Sequence, residues 1–305
     1  MLHLDRILLP TDGSECADRA RAHALHLANH FDTTLHVIHV EEREANLSEV
    51  IDIREDDILS DLHVPLGEGG ATVPEPRVQE QVVVHPSAAE GILTYATEHD
   101  IDLIVLGTHG RGGVRRVVLG SVAEEVVRRA QCPVLSVGRG AETPVEESFG
   151  HVLVPVDFSE HQTRLLDHVR EAALVYDMKV TLLHVLEHLA LPKVYGVSMR
   201  WPDEKELEGR VHEALEELAE PLQESGLDVD VRVRKGDPAE EILAATEELG
   251  TNIIAVATHG QGSLRRMLVG GVAERVIRRA ECPVFTIKSF GKSLVDGEHV
   301  SSPSA

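Results

Sequence analysis

The chain repeats itself, and the repeat restricts the possible folds more than any other feature does. ILLPTDGSE at positions 7 to 15 returns as VLVPVDFSE at 152 to 160, and VIHVEE at 37 to 42 resembles LLHVLE at 182 to 187, an offset of 145 residues. LIVLGTHGRGGVRRVVLGSVAEEVVRRAQCPVLSV at 103 to 137 returns as IIAVATHGQGSLRRMLVGGVAERVIRRAECPVFTI at 253 to 287, an offset of 150. With 305 residues, at roughly 150 per domain, the chain is a tandem pair of like domains. The expected boundaries are a first domain over 1–140, a linker over 138–149, a second domain over 150–290 and a flexible tail over 289–305.

Each copy alternates short apolar runs with helical spacing. In the first, Arg6 to Pro10, Leu35 to Val40, Val78 to Val84, Ile101 to Leu106 and Pro133 to Val137 read as strands. Cys16 to Phe31, Ala88 to His99 and Ser121 to Ala130 read as helices, with a short helix expected near 47–62. That order predicts an α/β fold, a five-stranded parallel sheet with right-handed helical crossovers in each domain. In the second copy Asp203 to Glu224 reads as a longer helix, with Leu207, Val211, Leu215, Leu218 and Leu222 on its core face.

Composition narrows the function. A net charge of −23 opposes the basic face that nucleic acid requires. No run approaches the ~18 consecutive apolar residues of a membrane span. The amino terminus shows no secretory pattern, so a cytoplasmic location is expected. Three cysteines make no disulfide framework. His23, His26 and His30 share one helix face but gather no Cys, and no metal site is expected from them.

Ligands of open parallel sheets bind beyond the carboxyl ends of the strands, where strand order reverses. Pro10-Thr11-Asp12-Gly13 leaves the first strand and Gly107-Thr108-His109-Gly110 leaves the fourth. Nine residues on, Gly120-Ser121 opens a helix whose N–H groups and dipole favour an anion. Asp12 can accept from a sugar hydroxyl or an adenine amino group. Two plainer readings stand beside this one. Ser121-Val122-Ala123-Glu124 is also a capping box, and Asp12 is also a good turn residue.

The spacing Gly107-x2-Gly110-x9-Gly120-Ser121, with PTDGS after the first strand and His39-Val40 ending the second, resembles the ATP-binding type of universal stress protein. The resemblance implies two tandem Rossmann-like domains of the adenine nucleotide alpha hydrolase-like kind. It also implies ATP, with Mg2+, as the ligand of a stress-responsive or regulatory protein that is not an enzyme. By it, Pro10, Thr11, Asp12 and Val40 surround the adenosine. Leu106, Gly107, His109 and Gly110 flank the ribose and phosphates, and Gly120, Ser121 and Val122 hold phosphate. The second copy keeps Asp157, Val185, His259, Gly260 and Gly270, but Ala257 replaces the first glycine and Gly271 the serine. The methyl of Ala257 would crowd a backbone needing positive φ or close ligand approach, so this site is expected to be degenerate.

Partners expected on this basis are an adenine nucleotide, no nucleic acid and no membrane. The last strands, Pro133 to Val137 and Pro283 to Ile287, are expected to pair within one chain as a pseudo-dimer, with a homodimer as a further option. Two rival functions remain open: a nucleotide-independent interaction module and a slow ATPase. The chain lacks a G-x4-G-K-[ST] loop and a G-x-S-x-G elbow, and His109 is the only candidate base for water.

Overall fold

The computed structural model describes residues 1–43, 76–109, 119–141, 149–159, 162–187, 204–258 and 270–295. The helix expected near 47–62 and most of the linker lie outside them. The chain divides into two compact units, His3–Pro144 with Phe290–Ala305, and Val145–Ser289 with Met1–Leu2.

In the first unit the strands are β1 (Arg6–Pro10), β2 (Thr34–Glu42), β3 (Arg77–His85), β4 (Leu103–Gly107) and β5 (Val134–Val137). They pair in parallel in the order β3-β2-β1-β4-β5, so the order reverses between β1 and β4. Helices α1 (Glu15–Phe31), α2 (Ala88–Glu98) and α3 (Ser121–Arg129) make the crossovers. Ile7, Leu8, Leu9, Ile104 and Val105 are fully buried, as strands covered on both faces require. Ser14 caps α1 by accepting from the Ala17 amide, and Asp32 ends the helix at φ 50° in the left-handed region. The buried face of α1 is mostly small: Cys16, Ala17, Ala20, Ala24 and Ala28 let it lie close on the sheet.

The second unit repeats the plan with β6 (His151–Pro155), β7 (Lys179–Leu186), β8 (Val229–Lys235), β9 (Ile253–Ala257) and β10 (Val284–Ile287), in the order β8-β7-β6-β9-β10. Its helices are α4 (Gln162–Tyr176), α5 (Glu204–Glu224), α6 (Pro238–Leu249) and α7 (Gly271–Arg279). The core face of α5 differs from the expected row. Leu215, Ala219 and Leu222 are buried, whereas Leu207 is 38% exposed, so the buried row is confined to the later turns of α5.

The tail also differs from expectation. Residues 290–295, read from sequence as part of a flexible tail, are fastened to the first unit. The Lys292 amide donates to the Gln131 carbonyl at 2.6 Å, and His3 N donates to Leu294 O at 2.7 Å. Lys292 Nζ reaches Asp100 Oδ1 at 2.7 Å and Asp102 Oδ1 at 2.6 Å. Asp102 Oδ2 meanwhile accepts from the Asp5 and Arg6 amides at the start of β1. One carboxylate thus ties the first strand, the fourth strand and the tail together.

Cys16 and Cys132 are buried, Cys282 is half-buried, and all three are free thiols. Burial pushes the Cys282 thiol up to about 12, which disfavours the thiolate that thiol reactivity needs. Burial is also the first cause holding His36, His151 and His168 below the ordinary imidazole value; for His36, the neighbouring His99 and Arg6 add to it. The unfolded chain therefore binds protons at these positions before the folded one does. Stability is expected to be full above the ordinary histidine value, about 6.5, and to fall as pH drops below it. Urea unfolding midpoints at a series of pH values check this: a midpoint that rises on acidification from about 7 to about 5 contradicts it.

Candidate functional site

The site forms where β1 and β4 diverge. Thr11 continues β1 by donating its amide to Ile38 O at 2.8 Å, and Thr11 Oγ1 accepts from Gly13 N at 3.1 Å. Gly13 sits at φ 68°, which closes a tight turn. Asp12 Oδ1 accepts from Ser14 N at 3.0 Å, so Asp12 is indeed a turn residue. Its place beside the cavity is compatible with that role. Ser14 Oγ donates to His109 O at 3.2 Å, joining the β1–α1 loop to the end of β4.

Gly107 has a different reason from the one the sequence suggests. Its φ is not positive. A Cβ there would stand 2.7 Å from the Cys16 carbonyl carbon and 2.9 Å from Ala17 N. The glycine lets the first turn of α1 approach the end of β4, and that approach sets the Asp12 turn against His109.

The start of α3 settles the capping question. Gly120, at φ −60° and ψ 140°, is the N-cap, and no side chain caps the helix among the described residues. Gly120 N donates to Thr108 O at 2.8 Å, which anchors the helix start to the β4 loop. Ser121 is therefore the first helical residue, exposed, and the Ser121–Glu124 capping box is not formed. The first amides of a helix have no partner within it, and those of α3 open onto a cavity of about 670 Å³ lined by Gly120, Ser121, Val122 and Ala123.

Pro10, Thr11, Asp12, Val40, Leu106, Gly107 and His109 line the same cavity, so ten of the eleven residues expected of the first site meet there. Gly110, the eleventh, and the arginines at 111, 115 and 116 lie outside the described residues. The volume falls within the ~300–1,000 Å³ typical of small-molecule sites. Ile38, His39, Ala88 and Ile92 also line it and were not picked out as site residues from sequence. Only His39 carried a signal, as the neighbour of Val40. His109 is held below the ordinary histidine value by burial first and the charge of Arg139 second, so the ring is neutral near pH 7. Its Nδ1 lies 2.8 Å from Thr108 Oγ1, and its Nε2 is buried without a hydrogen-bond partner among the described residues.

The second unit keeps part of this plan. Asp157 Oδ1 accepts from Ser159 N at 3.0 Å, and Val156 N donates to Leu183 O at 2.8 Å. Val185 is buried, and Gly270 caps α7 with its amide on Thr258 O. His259 and Gly260 lie outside the described residues. A third departure joins Ala257 and Gly271: Phe158 takes the place of Gly13 at φ 55°, with its ring centroid 4.9 Å from that of His184. A side chain in this region costs about 1–2 kcal/mol, and here it sets an aromatic ring where the first unit has none.

Among the described residues no helix is long and apolar enough to cross a membrane. The universal stress protein family matches residues 3–138 and again 148–288. Two universal stress proteins of Methanocaldococcus jannaschii are similar in sequence. One is 33% identical over 141 residues, 43% of this chain and 81% of its own length. The other is 30% identical over 151 residues, 45% of this chain and 93% of its own length. A universal stress protein structure from Archaeoglobus fulgidus shares the fold across both units, with a TM-score of 0.65 at 22% identity over 93% of this chain and 98% of that one. With the family matched twice over nearly the whole length, and the same doubly wound sheet in both units, the chain belongs to the universal stress protein family as a tandem member.

Proposed function

We propose that the first domain binds ATP, that the second is a degenerate copy, and that the protein acts as an ATP-responsive stress or regulatory protein. The observation that carries this reading is the start of α3, a helix end with no side-chain cap opening onto the cavity beside Asp12 and His109. In a chain of net charge −23, such an end is a local site for anionic phosphate. The apolar walls from Ile38, Val40, Ile92 and Leu106 suit a purine ring. Among the described residues no three His, Cys, Asp or Glu side chains gather for a metal ion. Mg2+ commonly takes its ligands from substrate phosphates, water and one or two carboxylates, and Asp12 lines the same cavity.

The role assigned is binding and not turnover. His109, the one candidate base, is half-buried, with Nδ1 engaged by Thr108 Oγ1 and only Nε2 left over. In the second domain Gly271 offers no hydroxyl where Ser121 stands, and Phe158 narrows the choice of ligand.

Calorimetric titration of the nucleotide-stripped chain with MgATP is the test. Binding is expected, and Ser121→Ala is expected to weaken it about tenfold, as loss of one hydrogen bond to a charged group does. Absence of binding by calorimetry and by a second method overturns the reading and leaves a nucleotide-independent interaction module.

A further inference from the structure

His39 does more at this cavity than fill its wall. Its Nδ1 lies 2.9 Å from the Thr11 carbonyl oxygen, which only accepts, so Nδ1 carries the proton. In the neutral ring Nε2 is then a hydrogen-bond acceptor, on a half-buried side chain that lines the cavity. Other polar atoms of the facing loop are used within the fold. Thr11 Oγ1 accepts from Gly13 N, Asp12 Oδ1 from Ser14 N, and Ser14 Oγ is shared between His109 O and Ala17 N. The apolar walls can hold a flat ring but cannot distinguish an amino from a carbonyl group on its edge.

The second copy separates two roles. His184 Nδ1 lies 2.7 Å from Val156 O, so the strut between strand end and turn is kept. Beside it, however, stands Phe158, where the first copy has Gly13. The strut recurs in both copies, whereas the open surroundings of the second ring nitrogen belong to the first.

We infer that His39 is a positioning and specificity residue: its Nδ1–H holds the turn that presents Asp12, and its Nε2 accepts a hydrogen bond from the amino group of a 6-aminopurine, discriminating against 6-oxopurines. The inference rests on the reading that the first domain binds a purine nucleotide.

Its test compares ATP with inosine triphosphate on the intact chain. The wild type is expected to bind ATP about tenfold more tightly, the effect of one hydrogen bond gained against one left unmade. In His39→Asn the amide nitrogen takes the place of Nδ1 and holds the Thr11 carbonyl, but no acceptor stands at the Nε2 position. The ratio of the two affinities falls to about one. In His39→Gln the strut is lost, and both affinities fall together. Equal binding of the two nucleotides by wild type overturns the inference while leaving nucleotide binding intact. A ratio unchanged in His39→Asn but abolished in Asp12→Asn overturns it too, by making Asp12 the reader. Binding of neither nucleotide by wild type overturns the reading beneath it.

Discussion

Alanine at position 107 is expected to destabilise the first domain by about 2 kcal/mol, within the ~1–3 kcal/mol of an overpacked core. The added methyl would stand 2.7 Å from the carbonyl carbon of Cys16 and 2.9 Å from its oxygen. These are backbone atoms of α1, so no side-chain rotation relieves the clash, and the first turn of the helix must move. That turn begins at Ser14, whose hydroxyl holds His109 O and whose amide is bonded by Asp12. Under the proposed function, nucleotide affinity falls together with stability. The reverse exchange, Ala257→Gly, has no clash to relieve and costs at most about 1 kcal/mol through lost backbone restraint. Urea unfolding of the two variants decides between accounts. Equal small shifts would mean that Gly107 serves ligand approach and not the packing of helix on strand.

The tail provides the second large effect. Gly291 sits at φ 82°, and a Cβ there would lie 2.3 Å from the Gln131 carbonyl oxygen. Gly291→Ala is expected to release residues 290–295, whose backbone bonds to Gln131 and His3 it disturbs, while the rest of the domain stays folded. Tryptic cleavage after Lys292 reports the release. If docking is weakened by about 2–3 kcal/mol, as for a strained backbone position, cleavage is faster by roughly 30- to 150-fold. A cleavage rate within about twofold of wild type contradicts the fastening. Lys292 also makes a pH prediction. The carboxylates of Asp100 and Asp102 raise the lysine above its usual value against the opposing cost of burial. Asp100 is lowered, first by its hydrogen bond to Lys292. A raised lysine stabilises below its unfolded value and loses this as pH climbs through the folded one. A lowered carboxylate stabilises above its unfolded value and loses this as pH falls through the folded one. Protection of the Lys292 amide against hydrogen exchange is therefore expected to be level from about pH 5 to about pH 9 and to fall outside that range.

The sheet and its crossovers were legible because buried parallel strands leave continuous apolar runs, such as Ile7 to Leu9 and Ile104 to Leu106, and helices leave a three-to-four spacing. The meeting of the candidate site's residues was legible for a related reason: in a doubly wound sheet the loops after the first and fourth strands meet, so Asp12 and His109 come to one cavity from topology alone. What escaped depends on tertiary geometry. A lone glycine does not show whether it is needed for positive φ, for a ligand or for a neighbouring helix; at Gly107 it is the helix. Ser121-x-x-Glu124 reads the same whether the cap is Ser121 or Gly120, and the bond from Glu124 N to Gly120 O decides it. The partners of Lys292, Asp100 and Asp102, stand far back in sequence, where no local pattern points. Phe158 opposite Gly13 is visible in the repeat itself, but its weight comes from the backbone, which holds a bulky residue at φ 55° beside His184.

The central claim is one competent adenine nucleotide site, in the first domain. Stoichiometry on the intact chain tests it most directly, with MgATP titrated into wild type, Asp12→Ala and Asp157→Ala. One nucleotide per chain, lost in Asp12→Ala and kept in Asp157→Ala, is the predicted result. Two equal sites per chain, or a single site that survives Asp12→Ala and disappears in Asp157→Ala, would contradict it.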